Sequence, residues 1–387
     1  MSRIPFAKPD ITEKEVQAAA DAIRSGWVTT GENAEKFETE FAQYLGSSEL
    51  QCVAVNSATA ALHLAVEALG IGPGDEVLVP TWTFTSTAEV VRYVGADPVL
   101  VDSNPNTYLM SLEDAETKVS PMTKAIIPVH FAGLPVNRDA LNKFAHSHQL
   151  KVIEDAAHSL PTMSGGRMIG DIQPEDATEA VCFSFYATKT MTTGEGGMLV
   201  TRNKALARRA KTMRLHGISR DVFDRYSSLD ASWFYEVIAP GFKYNLGDIA
   251  AAIGRVQLGR LDEMTARRTE IARRLTVELD GLPIKLPVQE SEARGHSWHL
   301  YAIQILSDSR VDRDTFIQVM RENEIGCSVH FIPLHKHPYY KQQYSYKPEE
   351  FPVAEECFRK TVSLPIYSSL SDDEVTRIIE TIKKIVV

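Results

Sequence analysis

The stretch FSFYATKTMTTGEGGMLVT, Phe183–Thr201, places one lysine, Lys189, between an apolar β-type run and a glycine-bearing turn that leads into a second apolar run. Upstream, short runs of the same kind recur: QCVAV, DEVLVP, DPVLVD, KAIIPVHF, LKVIED and AVCFSF. Helical patterns such as TAALHLAVEALG and RDALNKFAHSHQ separate them. Strands alternating with helices from about residue 50 to 201 predict an α/β domain, its mostly parallel sheet covered by helices on both faces. Ligands of such sheets sit at the carboxyl ends of the strands.

Downstream, GDIAAAIGRVQLGRLDEMTARRTEIARRL reads as a long helix with Ile253, Val256, Leu258 and Leu261 among its apolar positions. The proline- and glycine-bearing DGLPIKLPVQESEARGH reads as a connector. Beyond it, the run SWHLYAIQIL, a helix around DRDTFIQVMRENE, a strand GCSVHF and a final helix in SDDEVTRIIETIKKIVV predict a small α+β domain. A chain of 387 residues exceeds one small core. We divide it into a large domain, 1–265, which includes the N-terminal segment, and a small domain, 266–387.

Hydrophobic residues at 44% and charged residues at 24% are ordinary for a globular protein. A net charge of −10 disfavours binding to nucleic acid or anionic lipid through bulk electrostatics, so an anionic ligand needs local groups. Cys52, Cys182, Cys327 and Cys357 are widely spaced, with neither a zinc-ribbon nor a disulfide pattern, which fits a reducing compartment. The start MSRIPFAKPDITEKE lacks the apolar core of a signal peptide, and no run approaches the roughly 18 apolar residues of a membrane helix. The expectation is a cytoplasmic protein.

Three constellations carry chemistry. In VNSATAALHLAVEALG a strand ends and a helix begins near Thr59. Small hydroxylated residues at a helix N-terminus suit a phosphate, although Ser57 or Thr59 taken alone reads more simply as an N-cap. LKVIEDAAHS ends an apolar strand on Glu154 and Asp155, with His158 just beyond. A strand-end acid is costly to bury unless it meets a cation such as a protonated ring nitrogen; the plain alternatives are a capping aspartate and a structural histidine. Lys189 beside TTGEGG can trap an aldehyde once its pKa falls, although a lone lysine after a strand is ordinarily solvated. In this order the three supply what pyridoxal phosphate needs: a phosphate anchor, a pyridinium partner and an aldehyde trap.

Competing motifs lack their context. GIGPGD follows a helix rather than a strand, and no G-K-[ST] step follows GEGG, so neither dinucleotide nor Walker-type nucleotide binding is supported. HFIPLHKH holds His330, His335 and His337, but a metal site would need further ligands and proline interrupts any helix aligning them. The basic run RNKALARRAKTMRLHGISR reads as a solvated helix face, with an anionic-substrate rim as the alternative.

With these residues assembled, the chain resembles the DegT-type family of sugar aminotransferases, pyridoxal-phosphate enzymes of fold type I. The matching motifs are SGWVTTG, NSATAALHLA, GPGDEVLVPTWTFTSTAE, TKAIIPVHFAG, VIEDAAHS, FSFYATKTMTTGEGGML, LHG, APGFKYNLGDIAAAIG, WHLY and SVHFIPLH. The similarity is greatest to branches that make amino sugars for bacterial surface polysaccharides. The resemblance implies a seven-stranded-type sheet in the large domain. It implies Lys189 as the lysine bonded to the cofactor's aldehyde carbon, Asp155 as partner of the pyridinium nitrogen and His158 beside the ring hydroxyl. It places Phe84, with Trp82 the lesser alternative, as the aromatic stacked on the ring. Ala58, Thr59 and Ser184 fall at phosphate-binding positions. Asn245, in FKYN, matches an asparagine that reaches the phosphate from the neighbouring subunit, which implies a homodimer with shared sites. His330 and His335 lie where relatives vary with their sugar and are candidate substrate contacts.

The activity implied is transfer of an amino group from L-glutamate to a nucleotide-linked, UDP-type, 4-keto and often 6-deoxy sugar. The alternatives are a GDP- or dTDP-linked or 3-keto acceptor, and a pyridoxal-binding regulatory protein without turnover. Family dehydratases carry histidine where this chain has Lys189, which counts against dehydration.

Overall fold

The structure, a computed structural model, describes residues 2–219, 235–288 and 295–387. Seven strands form one sheet: β1 (Gln51–Val55), β2 (Glu76–Pro80), β3 (Asp97–Val101), β4 (Thr123–Ile126), β5 (Lys151–Asp155) and, after the short hairpin of β6 (Met163–Ser164) and β7 (Arg167–Met168), β8 (Thr178–Ser184) and β9 (Gly197–Thr201). Each of the seven apolar runs read from the sequence is one of these strands. Their order is β1-β9-β8-β5-β4-β2-β3; β9 is antiparallel to both neighbours and the remaining pairs are parallel.

Around the sheet run α1 (Glu13–Arg24), α2 (Glu32–Tyr44), α3 (Ala58–Ala68), α4 (Ser86–Tyr93), α5 (Leu112–Lys118), α6 (Arg138–His148), α7 (Lys204–Met213) and the 32-residue α8 (Asp248–Leu279). Successive strand residues face opposite sides. Val77 and Val79 therefore pack with α3, α4 and α7, while Leu78 packs with Leu141 and Phe144 of α6. Cys182 lies on the α3 side, and its neighbours Val181 and Phe183 meet Phe37 and Phe41 of α2 and Leu258 and Leu261 of α8. Burial of each such aliphatic side chain contributes about 1.5–3 kcal/mol. A one-residue slip would reverse every face at once, so register is tightly specified.

The C-terminal part has an antiparallel sheet, β10 (Ile284–Lys285), β11 (Tyr301–Ile305) and β12 (Thr361–Leu364). It carries α9 (Arg313–Glu322), α10 (Pro338–Tyr344), α11 (Pro352–Lys360) and α12 (Asp372–Val386). Ser371 and Glu374 cap α12 reciprocally, which starts that helix immediately after Leu370. Its apolar stripe, from Val375 to Ile385, closes the small core.

Several expectations are corrected. GCSVHF makes only a single bridge, Ser328 to Ser363, because Gly326 donates instead to the carbonyl of Ile4 and the chain turns away at His330. The connector 280–296 contains β10; its residues 289–294 lie outside the described ones. The basic run is not wholly solvated: Arg214 is buried and donates to Glu38 Oε1 at 2.6 Å, while Arg220 lies outside the described residues. The division at 265/266 is kept as a proposal, with two features that span it. Helix α8 runs through it unbroken, and Ile4 packs in the core of the C-terminal part.

Candidate active site

Turns at the carboxyl ends of the large sheet converge on a cavity of about 460 Å³. Its walls include Ala58 and Thr59 at the start of α3, Asp155 at the end of β5, His158 just beyond it, Ser184 at the end of β8, and Lys189. Phe84, His299, His330 and Phe331 line it as well. A larger groove of about 1060 Å³ along α1, α2 and α8 has a different character. There Arg255 is paired with Glu40, and Asp248 accepts from the backbone N–H groups of Gly31 and Ala34.

Asp155 is buried by the parallel strands on either side of β5. Burial pushes its carboxyl pKa up, opposed by hydrogen bonds from the Ala157 N–H to Oδ1 at 3.1 Å and from the Thr87 hydroxyl to Oδ2 at 2.9 Å. The nearby Lys189 ammonium opposes it further. Thr87 is in turn 2.8 Å from the Thr83 hydroxyl, so the threonines form a chain that aims at the carboxylate.

Lys189 sits in a turn closed by its N–H to the Tyr186 carbonyl at 3.0 Å. Desolvation lowers its amine to about 8, with Asp155 resisting the fall. The amine is thus poised to exist in both forms near neutral pH.

His158 is buried, and burial beside Lys189 and His330 holds its ring well below the usual histidine range. Its Nδ1 accepts the Ala132 N–H at 3.2 Å. A neutral ring that accepts at Nδ1 carries its hydrogen on Nε2, so His158 is a fixed donor.

At the start of α3 the Ser57 hydroxyl accepts the Ala60 N–H at 3.1 Å, so the N-cap reading of Ser57 is realised. The N–H groups of Ala58 and Thr59 belong to the first turn, where no intrahelical acceptor exists. Gly197 passes directly against this turn: a Cβ there would lie 2.5 Å from the Ser57 carbonyl carbon and 2.7 Å from the Ala58 nitrogen. Helix N-terminus and sheet touch backbone to backbone because residue 197 has no side chain.

Phe84 is 57% exposed at the cavity rim, whereas Trp82 is fully buried, stacked on Tyr108 outside the cavity wall. His330 lines the cavity with Nδ1 held 3.0 Å from the Ser363 hydroxyl. His335 does not join it and is withdrawn as a substrate contact. It is fully buried, with Nδ1 2.7 Å from Thr81 Oγ1, Nε2 2.9 Å from Glu355 Oε1, and its ring on Phe351. Both nitrogens are engaged. Asn245 is not in this cavity either; it donates to Thr30 Oγ1 at 2.7 Å and lines a separate hollow of about 380 Å³ with Lys204, Arg208 and Lys211.

Residues 9–383 match the DegT/DnrJ/EryC1/StrS aminotransferase family. The spore coat polysaccharide biosynthesis protein SpsC of Bacillus subtilis (strain 168) is 45% identical over 386 residues, 99% of this chain and 97% of that protein. The chain belongs to this family. Among solved structures, Spr1654 of Streptococcus pneumoniae, assigned as a sugar aminotransferase and solved in its PLP form, is 33% identical with a TM-score of 0.90. That match covers 99% of this chain and 98% of that one, and Spr1654 is also known in a PMP form. S. venezuelae DesV, solved in complex with a ketimine intermediate, is 31% identical with a TM-score of 0.88, covering 99% and 98%.

As a family member the chain is an aminotransferase, and pyridoxal 5′-phosphate is its cofactor. The cavity fits that group chemically. A helix N-terminus and the Ser184 hydroxyl suit a phosphate, the Asp155 carboxylate suits a protonated ring nitrogen, and a lysine of lowered pKa suits an aldehyde. Two contributors were missed by sequence reasoning. Thr87 reaches Asp155 from 68 residues away; it lies inside TWTFTSTAE, quoted above for resemblance with no role given to this residue. His299 lies inside WHLY, a motif quoted above for resemblance without a role; its burial and its place in the cavity come only from folding.

Proposed function

We propose that this aminotransferase moves an amino group from L-glutamate to a nucleotide-linked 4-keto sugar, UDP-linked and often 6-deoxy, in the synthesis of a bacterial surface polysaccharide. The observation that carries the reading is the meeting of Lys189, Asp155 and the start of α3 in one cavity. The polysaccharide context rests on the similarity to SpsC, and the sugar on the likeness to Spr1654.

When bound, pyridoxal phosphate supplies an electron sink for charge developing at the donor's α-carbon. Asp155 would hold a proton on the ring nitrogen, and a cation there would favour its own ionised form. Lys189 would hold the aldehyde carbon and, as a free amine, would serve as the base and then the acid for the proton of the donor's α-carbon. The same lysine works in the opposite direction when the sugar's carbonyl carbon receives its hydrogen. His158 would offer Nε2–H to the ring hydroxyl, and Phe84 would supply the aromatic face for the ring. Ala58 and Thr59 offer N–H groups, and Ser184 its hydroxyl, to the phosphate. Asn245 of the partner subunit completes the phosphate site in a homodimer, and His330 borders the sugar. The enzyme works in the cytoplasm; among the described residues no helix is long and apolar enough to cross a membrane.

Borohydride reduction of the yellow protein should fix a pyridoxyl phosphate on Lys189, read by peptide mass spectrometry. A label on another lysine, or glutamate turnover by Lys189→Ala, would overturn the assignment. Mixed dimers of Lys189→Ala with Asn245→Ala should contain one intact and one doubly damaged site; equal partial damage at both sites would contradict sharing. A screen of nucleotide keto sugars that return the amino form of the cofactor to the aldehyde form identifies the acceptor.

A further inference from the structure

His299 is the one cavity-lining histidine whose ring makes no hydrogen bond to any described residue. His158 is engaged at Nδ1 by Ala132, and His330 at Nδ1 by Ser363. His299 is only 6% exposed, and its Nδ1 is sealed in the protein without a partner. A neutral imidazole keeps its single hydrogen on the nitrogen that has somewhere to donate it, which here is Nε2, the nitrogen left open to the cavity. A buried polar group without a partner costs free energy that a ligand can recover.

The ring is held in place by an unusual loop. Trp298 takes a left-handed backbone with φ +53°, and its N–H donates to His296 Nδ1 at 2.9 Å while the two rings stack. Its carbonyl accepts from Arg268 Nη1 at 3.2 Å. Ser297 donates to the His158 carbonyl at 2.6 Å, and the His299 ring centre lies 4.4 Å from that of His158. Position 299 is therefore locked to the wall that carries His158.

The charge behind this wall is positive. Arg268 is buried, and among the described residues it has no ion pair; Nη1 bonds only to the carbonyls of Trp298 and Ile366, and Nε has no partner. Desolvation lowers even this guanidinium to about 10, with the Asp10 carboxylate resisting the fall. Burial holds the His299 ring well below the usual histidine range, and the nearby charges of Lys189 and Arg268 act in the same direction. The carboxylates lining the cavity are Asp155, bound to Thr87 and Ala157, and Glu195 beside Gly196. No arginine lines the cavity among the described residues, so an anionic donor finds no guanidinium clamp there.

We propose that His299, backed by the buried charge of Arg268, is the residue that receives the carboxylate of the amino donor, through Nε2–H. This rests on the reading of Lys189 as the cofactor lysine. The donor's α-carbon is one bond from the nitrogen joined to C4′, and C4′ is borne by the ring carbon next to the one that bears the hydroxyl. A side chain next to His158 is thus next to whatever that α-carbon carries.

The test uses the holoenzyme and two amines read by the cofactor's absorbance: 2-methylglutamate, which has no α-hydrogen to lose, and propylamine, which has no carboxylate. His299→Phe keeps a ring but removes both nitrogens, whereas His299→Gln returns an N–H near the Nε2 position. Loss of a hydrogen bond to a charged group should weaken 2-methylglutamate binding to His299→Phe by about tenfold or more, leave propylamine within about twofold, and be largely restored in His299→Gln. Unchanged 2-methylglutamate affinity, or equal weakening of both amines, would overturn the proposal. Failure of the underlying reading is separately visible, because borohydride would then label a residue other than Lys189 in the wild type.

Discussion

The hydroxyl of Thr87, on α4, donates to Oδ2 of Asp155, at the end of β5, at 2.9 Å. Together with the Ala157 N–H on Oδ1, this bond keeps a buried carboxylate from being driven further toward its protonated form. Thr87→Val keeps the shape and removes the donor. The carboxyl pKa should rise further, and pyridoxal phosphate should bind about tenfold more weakly, as expected for one hydrogen bond to a charged group. Absorbance titration of the apoprotein measures this, and wild-type affinity in Thr87→Val would mean that Thr87 does not support the cofactor.

Lys189 predicts a pH profile for cofactor capture. With its pKa lowered to about 8, only the unprotonated amine can attack an aldehyde. That form makes up about one tenth of the lysine at pH 7 and about nine tenths at pH 9. The rate at which apoprotein turns yellow should therefore climb roughly tenfold per pH unit below 8 and level off above it. Asp155 resists the lowering, so Asp155→Asn should move the inflection to lower pH. A profile still rising steeply beyond pH 10 would show an ordinary solvated lysine.

The residues that were legible in the sequence are those whose environment is set by their own strand. Asp155, Ser184 and Lys189 end or follow apolar runs long enough to be strands buried on both faces, so their place at the carboxyl edge followed from topology. Thr87 and His299 were opaque because their roles depend on which distant element packs over them. The burial of His335 was opaque for the same reason. Leu334 donates to the Thr81 carbonyl at 2.8 Å and plants the segment against the end of β2, which buries a histidine read from the sequence as a candidate substrate contact. GCSVHF has strand-like residues, but its ladder partners are taken up by Ile4 on one side and a single residue of β12 on the other.

Gly133 joins the two parts of the protein at the wall of the cavity. It has φ +103°, and a Cβ there would fall 2.1 Å from Ser297 Oγ and 3.0 Å from the His158 carbonyl. Gly133→Ala adds both backbone strain and a clash with the Ser297 bond to His158, and should lower stability by more than about 2 kcal/mol. Ser297→Ala, which removes only that hydrogen bond, should cost about 1 kcal/mol. Denaturant midpoints at unchanged slope distinguish the two; equal costs would show that the clash is relieved by movement of the loop.

Gly197 tests whether the start of α3 is the phosphate anchor. A methyl group at residue 197 would lie 2.5 Å from the Ser57 carbonyl carbon, and that contact is backbone, which no rotamer change can relieve. Gly197→Ala must shift the Ser57–Ala58 peptide away from β9, at an overpacking cost of about 1–3 kcal/mol. The shift misaligns the first-turn N–H groups with the phosphate while leaving Lys189, on a separate turn, able to take an aldehyde. The variant should therefore lose much of its preference for pyridoxal phosphate over pyridoxal, through weaker binding of the phosphorylated form and little change for the other. Titrating wild type and variant with both aldehydes gives that ratio directly. A preserved ratio with both affinities reduced alike would place the phosphate anchor elsewhere, because damage confined to the aldehyde end is common to both ligands.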